Sequence, residues 1–313
     1  MNREPTRATT SARVQGATAP RPGMSAAAPV SSGVPTFLTG LRGELSLMRL
    51  RPVVWVSLGI WAACIALFAY LVAYLTTVGA QWYTPEQQGM FVRAMLPEGT
   101  SYYVLASLPL YGAPQFAILG AILGAIDYSS GTVRAVVSRF TGRAQFMAAR
   151  LTGLLIIALA AAVVTLLVSV VSSVVVALVS GNSITFPPLS ALITTLGAAW
   201  LVAAAFIALG FAAGTLARRV VLAVVLAVVW VLGVESLLIG MLAPVVPFLG
   251  VLQGYLPVGA TTSLAASFVP AGQQTVPALT AATTPAVAVA VLAAWTALAA
   301  WVAFRSFGRR DLA

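Results

Sequence analysis

Six stretches of this sequence, residues 53–78, 103–126, 151–180, 189–217, 220–242 and 286–304, each exceed the roughly 18 apolar residues that a hydrocarbon core demands. Between them they hold a single charged residue, Glu235. No soluble core needs six such runs. The chain is therefore read in the bilayer as solvent, where only helices and closed barrels satisfy their own backbone groups. Runs of this length specify helices. The expectation is an all-α integral membrane protein with six transmembrane helices.

Composition excludes more than it includes. The chain has no histidine and no lysine, its 17 basic residues all being arginine. Without histidine there is no imidazole base for a serine or cysteine nucleophile and no histidine-ligated zinc. Without lysine there is no Walker A residue to hold a nucleotide phosphate and no Schiff base to pyridoxal phosphate. The chain is not by itself a P-loop ATPase. The lone Cys64 falls within an apolar run and reads as a small hydrophobe.

The net charge of +10 is explained by topology. With the N-terminus inside, Arg42, Arg49, Arg51, Arg134, Arg139, Arg143, Arg150, Arg218, Arg219, Arg305, Arg309 and Arg310 all flank the inner ends of the runs, and Arg93 alone lies outside. Positively charged residues orient spans toward the cytoplasm, so both termini are expected there and nucleic acid is not required as a partner. Arginine without lysine, with abundant Ala, Val and Gly, suggests a GC-rich bacterial coding bias and hence the cytoplasmic membrane.

Residues 1–35 are rich in Ala, Pro, Ser and Thr, hold no aromatic residue, and read as a disordered cytoplasmic tail. They lack the apolar core of a cleavable signal peptide. Residues 36–52 change character: Phe37, Leu38, Leu41, Leu45 and Met48 recur at helical spacing among Arg42, Glu44, Arg49 and Arg51. This is the pattern of an amphipathic helix lying at the membrane surface, ended by Pro52. The domain from 53 to 304 follows, then a cytoplasmic tail from 305 to 313. Residues 243–285 are apolar, uncharged and interrupted by Pro244, Pro247, Pro257, Pro270 and Pro277. A seventh span here would send the last arginines outside, so the segment is read as an outer lid or a re-entrant excursion. Trp82, Tyr83, Tyr102 and Tyr103 read as an aromatic belt at the outer boundary.

The loop of residues 127–150 is the most informative. Gly131 can end the second span, and Ser130 or Thr132 can cap a short helix carrying Ala135, Val136 and Val137 between arginines. A small apolar patch with an arginine rim suits either a cytoplasmic docking partner or lipid headgroups. An interfacial basic helix with Glu44, a span, an outer loop, a span ending in an acid, then Gly-Thr-x-Arg and further arginines, resembles the permease subunits of type 2 ATP-binding-cassette (ABC) exporters. Gly131, Thr132, Arg134, Arg139 and Arg143 match that pattern. Asp127, Phe140, Gly142 and Arg150 stand where the family commonly has Glu, Pro, Ser and Lys.

The resemblance implies a coupling helix docked on a separate ATP-binding subunit, with Asp127, Gly131, Thr132, Arg134, Arg139, Arg143, Glu44 and Arg49 as coupling residues. It also implies a second permease copy, as homodimer or heterodimer, and a transport path between the two. ATP and Mg would sit on the partner, with no cofactor on this chain.

Within the bilayer, Glu235, Tyr111 and Gln115 are candidates for a transport path, because a buried ionisable or polar group there is costly. Interhelical hydrogen bonding is the plainer role for Gln115, and snorkelling to the outer interface for Glu235. Gly120 with Gly124, and Gly210 with Gly214, permit close helix approach. The competing function is an ion-coupled secondary transporter or channel without an ATPase partner, using Glu235. An integral-membrane enzyme has little support: Asp127 and Glu235 fall near opposite faces and cannot act as a pair.

Overall fold

In a computed structural model, residues 37–79, 81–131, 143–269 and 281–308 are described. They form an all-helical bundle, with no strand among the described residues. The expected tail of residues 1–35 and the last five residues lie outside them.

The first helix, α1 (Phe37–Leu50), corresponds to the expected surface helix. Arg51 adopts an extended conformation and Pro52 opens α2, the first span (Pro52–Gly79). Proline at a first helical position gives up an N–H that has no partner anyway. A short helix, α3 (Pro85–Met95), follows, opened by a capping box in which Thr84 and Gln87 satisfy each other's backbone N–H. The second span is α4 (Pro97–Ser129), the third α5 (Arg143–Ser180), the fourth α6 (Leu189–Ala217), the fifth α7 (Val220–Leu242). Two short helices, α8 (Pro247–Gly254) and α9 (Pro257–Ala266), precede the sixth span, α10 (Pro285–Gly308). Six helices are thus long and apolar enough to cross a membrane, and the chain is a multi-pass membrane protein. The fourth and fifth spans have the boundaries expected from sequence; the second and third extend further at both or one end.

Successive spans alternate in direction, which gathers Arg51, Asp127, Arg150, Arg218 and Arg305 at one end of the bundle. Glycines mark two helix ends: Gly131 and Gly181 have φ of +68° and +67°, a left-handed conformation that carries no Cβ penalty in glycine. Between α6 and α7 there are only Arg218 and Arg219, and Arg218 takes φ +57° itself.

The closest packing lies between α4 and α6. Gly120 and Gly124 face Ile207, Phe211 and Gly214, while Gly210 and Gly214 face Ala117, Ala121 and Gly124. A Cβ on any of the four would collide with backbone of the other helix. Two small-xxx-small pairs therefore interlock, and close backbone contact replaces the hydrophobic drive that lipid cannot supply.

On its other side, α5 presents Thr165, Ser169 and Ser173, buried and spaced four apart. Thr165 Oγ1 accepts from Trp61 Nε1 at 2.8 Å, and Thr100 Oγ1 donates to Ser173 at 3.3 Å. These bonds tie the first, second and third spans together.

The aromatic belt is corrected in part. Trp82 is exposed, but Tyr102 is buried and Tyr103 donates to Ala69 O at 2.5 Å. An aromatic ring near a span end is drawn inward where a neighbouring carbonyl takes its hydroxyl.

Candidate functional site

The arginine-rich end of the bundle holds a cluster of four ionisable groups, three buried and one half-buried, from three helices and one turn. Glu44 comes from the middle of α1, Arg51 from the turn before α2, Asp127 from the last turn of α4, and Arg150 from the start of α5. Arg51 Nη2 donates to Asp127 Oδ1 at 2.5 Å. Arg150 Nη1 pairs with Asp127 Oδ2 and lies 3.9 Å from Glu44 Oε2. Arg150 Nη2 also donates to Leu123 O at 2.7 Å, and the guanidinium sits 5.7 Å from the Phe146 ring centre and 5.8 Å from that of Phe211. Rings hold a cation through their negative faces.

Residue exposure is 1% for Glu44, 5% for Asp127 and 3% for Arg150. Two formal cations face two formal anions, which is the condition for tolerating charge at such depth. Satisfaction is incomplete: Glu44 Oε1, Arg51 Nη1 and Arg150 Nε are buried without a hydrogen bond among the described residues. Burial pushes the Glu44 carboxyl above its ordinary value; the Arg150 charge pulls it back, and Asp127 adds to the rise. A small cavity bordered by Asp127, Tyr128, Phe146, Arg150, Phe211 and Phe307 adjoins the cluster, about 10 Å³ in extent, the room one water needs.

The sequence-derived coupling residues are divided by this arrangement. Glu44 and Asp127 are brought together, but as buried partners of arginines and not as groups displayed to another chain: an acid at a helix end in apolar surroundings draws in the nearest cations. Gly131 ends its helix as expected. Arg49 is exposed, and its carbonyl accepts from Trp55 Nε1 at 2.7 Å. Thr132, Arg134 and Arg139 lie outside the described residues, as does the side chain of Arg143, the first residue of α5.

Sequence reasoning read Arg51 as a topology charge of the amphipathic segment and Arg150 as a topology charge standing where the resembled family has Lys, and missed both as cluster members. The available signal was Asp127 itself, a carboxylate at the end of an apolar run that had to be neutralised by something nearby.

The three path candidates do not share one lining. Gln115 donates to Ser57 Oγ at 3.0 Å, an interhelical bond. Tyr111 is exposed on the bundle surface and stacks on Phe68, ring centres 6.4 Å apart. Glu235 does not snorkel: it is 3% exposed and its Oε2 accepts from Val258 N at 2.7 Å, so a backbone donor inside the bundle satisfies it in place of water. Compared against protein families, curated proteins and solved structures, the chain matches none.

Proposed function

We propose that this chain is the membrane-spanning permease subunit of an ABC-type exporter, moving substrate outward with ATP hydrolysed on a separate nucleotide-binding subunit. The observation that carries the reading is the Glu44, Arg51, Asp127, Arg150 cluster. Asp127 and Arg150 flank the loop of residues 132–142 on its two sides, and ion pairs join them to each other and to α1 and the start of α2. Force delivered to that loop passes into three helices at once, because pulling one partner from a buried ion pair costs about 3–5 kcal/mol. That is the linkage a permease needs to turn nucleotide-driven motion of a docked ATPase into rearrangement of its spans.

On this reading the arginine-rich end faces the cytoplasm of a bacterial cell, two permease copies form the transporter, and ATP and Mg2+ reside on the partner. An ion-coupled carrier without an ATPase is the second reading, and the burial of Glu235 is what favours it; that carboxylate holds a backbone N–H, which argues for a structural role.

The test is affinity purification of the tagged chain in mild detergent, with mass identification of co-purifying proteins and an ATPase assay on the eluate. A stoichiometric partner bearing a Walker A lysine, with ATP hydrolysis, is expected. A single chain with no associated ATPase would overturn the assignment and favour the carrier.

A further inference from the structure

The connection between α7 and α10 contains a helix enclosed by the spans. Residues from Pro257 to Ala265 of α9 are all buried, against α4, α6, α7 and α10. At 1.5 Å per residue, ten residues reach about 15 Å, half of a hydrocarbon core. The helix packs within the bundle toward the end opposite the arginines. Its terminal backbone groups then need partners within the protein.

At its start the sequence offers little. The residue before the helix is Leu256, which has no side-chain acceptor, and Pro257 contributes no N–H. Val258 is the first residue with an amide to satisfy, and its partner is Glu235 Oε2 on α7, at 2.7 Å. A carboxylate at a helix N-terminus is also favoured by the helix dipole. Glu235 thus does from another helix what an N-cap residue does from within its own.

The local structure of α7 fixes that carboxylate. Residues Val229–Ile239 form a π-helical stretch, in which groups five apart align, and Trp230 stands beside Glu235. The second oxygen, Oε1, lies on the side of Trp230 and is buried with no hydrogen bond of good geometry among the described residues. Further along α9, Ser263 Oγ accepts from Ala282 N at 3.0 Å and Thr283 N at 3.3 Å. The hydroxyls of Thr261 and Thr262 turn back to the helix's own carbonyls. Among the described residues, two side chains, Glu235 near the start of α9 and Ser263 toward its end, make the polar ties that fasten it to its surroundings.

We propose that Glu235 is a latch: by capping α9 from α7 it keeps that helix closed inside the bundle, and breaking the bond to Val258 lets α9 swing out and admits water from that end. The device goes beyond the exporter reading and requires no ATPase partner.

Cys64 is the only cysteine, so a Cys64→Ala background with Thr262→Cys places one reporter thiol on the buried face of α9. The full chain in lipid nanodiscs is treated with a charged, membrane-impermeant maleimide and the labelling rate is measured. With Glu235 present, labelling is expected to be slow. Glu235→Ala should raise the rate by about tenfold or more, as expected when a buried backbone N–H loses its acceptor. Glu235→Gln, which keeps an acceptor of the same reach, should stay near the parent. Glu235→Asp, which keeps the charge but is one methylene short, should label faster than Glu235→Gln.

Equal rates in the Ala variant and the parent would overturn the latch. Should the Ala variant fail to accumulate, the Gln and Asp variants decide: an Asp variant labelling no faster than the Gln variant refutes the bond to Val258 as the fastening.

Discussion

Replacing Arg150 with methionine keeps much of the side chain's length and removes its charge. What remains is Asp127, still facing Arg51, and Glu44, stranded at 1% exposure with no other cation in contact among the described residues. Asp127 then keeps one guanidinium, Glu44 has none within ion-pair distance among the described residues, and Leu123 O loses its donor. Removing one member of a buried pair costs about 3–5 kcal/mol, most of it the penalty of the charge left behind. Adding Glu44→Gln removes the stranded charge, so the double variant should recover part of the loss and the cycle should show coupling of at least about 1 kcal/mol. Arg49→Ala, an exposed arginine on the same helix as Glu44, should change stability by no more than about 0.5 kcal/mol.

The assay is equilibrium unfolding in mixed micelles of rising SDS fraction, followed by tryptophan fluorescence at low and high salt. Buried pairs are weakly screened, so the Arg150 effect should survive added salt. An Arg150→Met variant within about 0.5 kcal/mol of the parent, or a cycle with no coupling, would refute the account of this cluster as a mechanical tie.

Gly210→Ala forces a methyl group into the backbone of α4 at Ala117 and Ala121, and should destabilise by about 1–3 kcal/mol in the same unfolding assay; Gly197→Ala, with open space around it, serves as the neutral control. The Glu44 carboxyl is raised above 4.5 by burial, so across that window the folded chain binds more protons than the unfolded one and stability falls as pH rises. The parent should therefore lose stability relative to Glu44→Gln from about pH 4.5 upward until the folded carboxyl ionises, read from unfolding midpoints of both proteins across pH. Under the exporter reading, Arg134→Glu or Arg139→Glu should lower ATP-driven transport and substrate-stimulated ATPase activity while membrane insertion stays intact; loss of insertion would remove those residues from a coupling role.

Much of the fold was legible because the bilayer imposes a length rule with few exceptions. The boundaries at Leu189 and Ala217, and at Val220 and Leu242, follow from where apolar residues begin and arginines or prolines stop them. The interlocked glycines were legible as pairs, but which helices they join was not, since sequence spacing fixes a face and leaves its neighbour open. The cluster was half legible. Glu44 and Asp127 stood out as acids in an arginine-rich setting, whereas Arg51 and Arg150 were hidden among charges already explained by orientation. Glu235 stood out as an ionisable group in a span; its partner is a backbone amide 23 residues away, and a backbone donor leaves no trace in composition or spacing.

The two ends of the bundle are fastened by different chemistry, and the difference bears on how it can move. At the arginine-rich end, ion pairs bind α1, α4, α5 and the turn before α2, and their strength depends on exclusion of water. At the opposite end, one carboxylate and one serine hold α9 through three backbone amides. Between them, α4 and α6 meet backbone to backbone at their four glycines. A contact of that kind does not stretch; it either holds or separates. Motion imposed at the charged end is therefore expected to rotate α4 and α6 as a unit about their glycines. Under the exporter reading the far end is where such rotation is expected to open the bundle, because among the described residues these three amide bonds are the polar ties by which Glu235 and Ser263 hold α9.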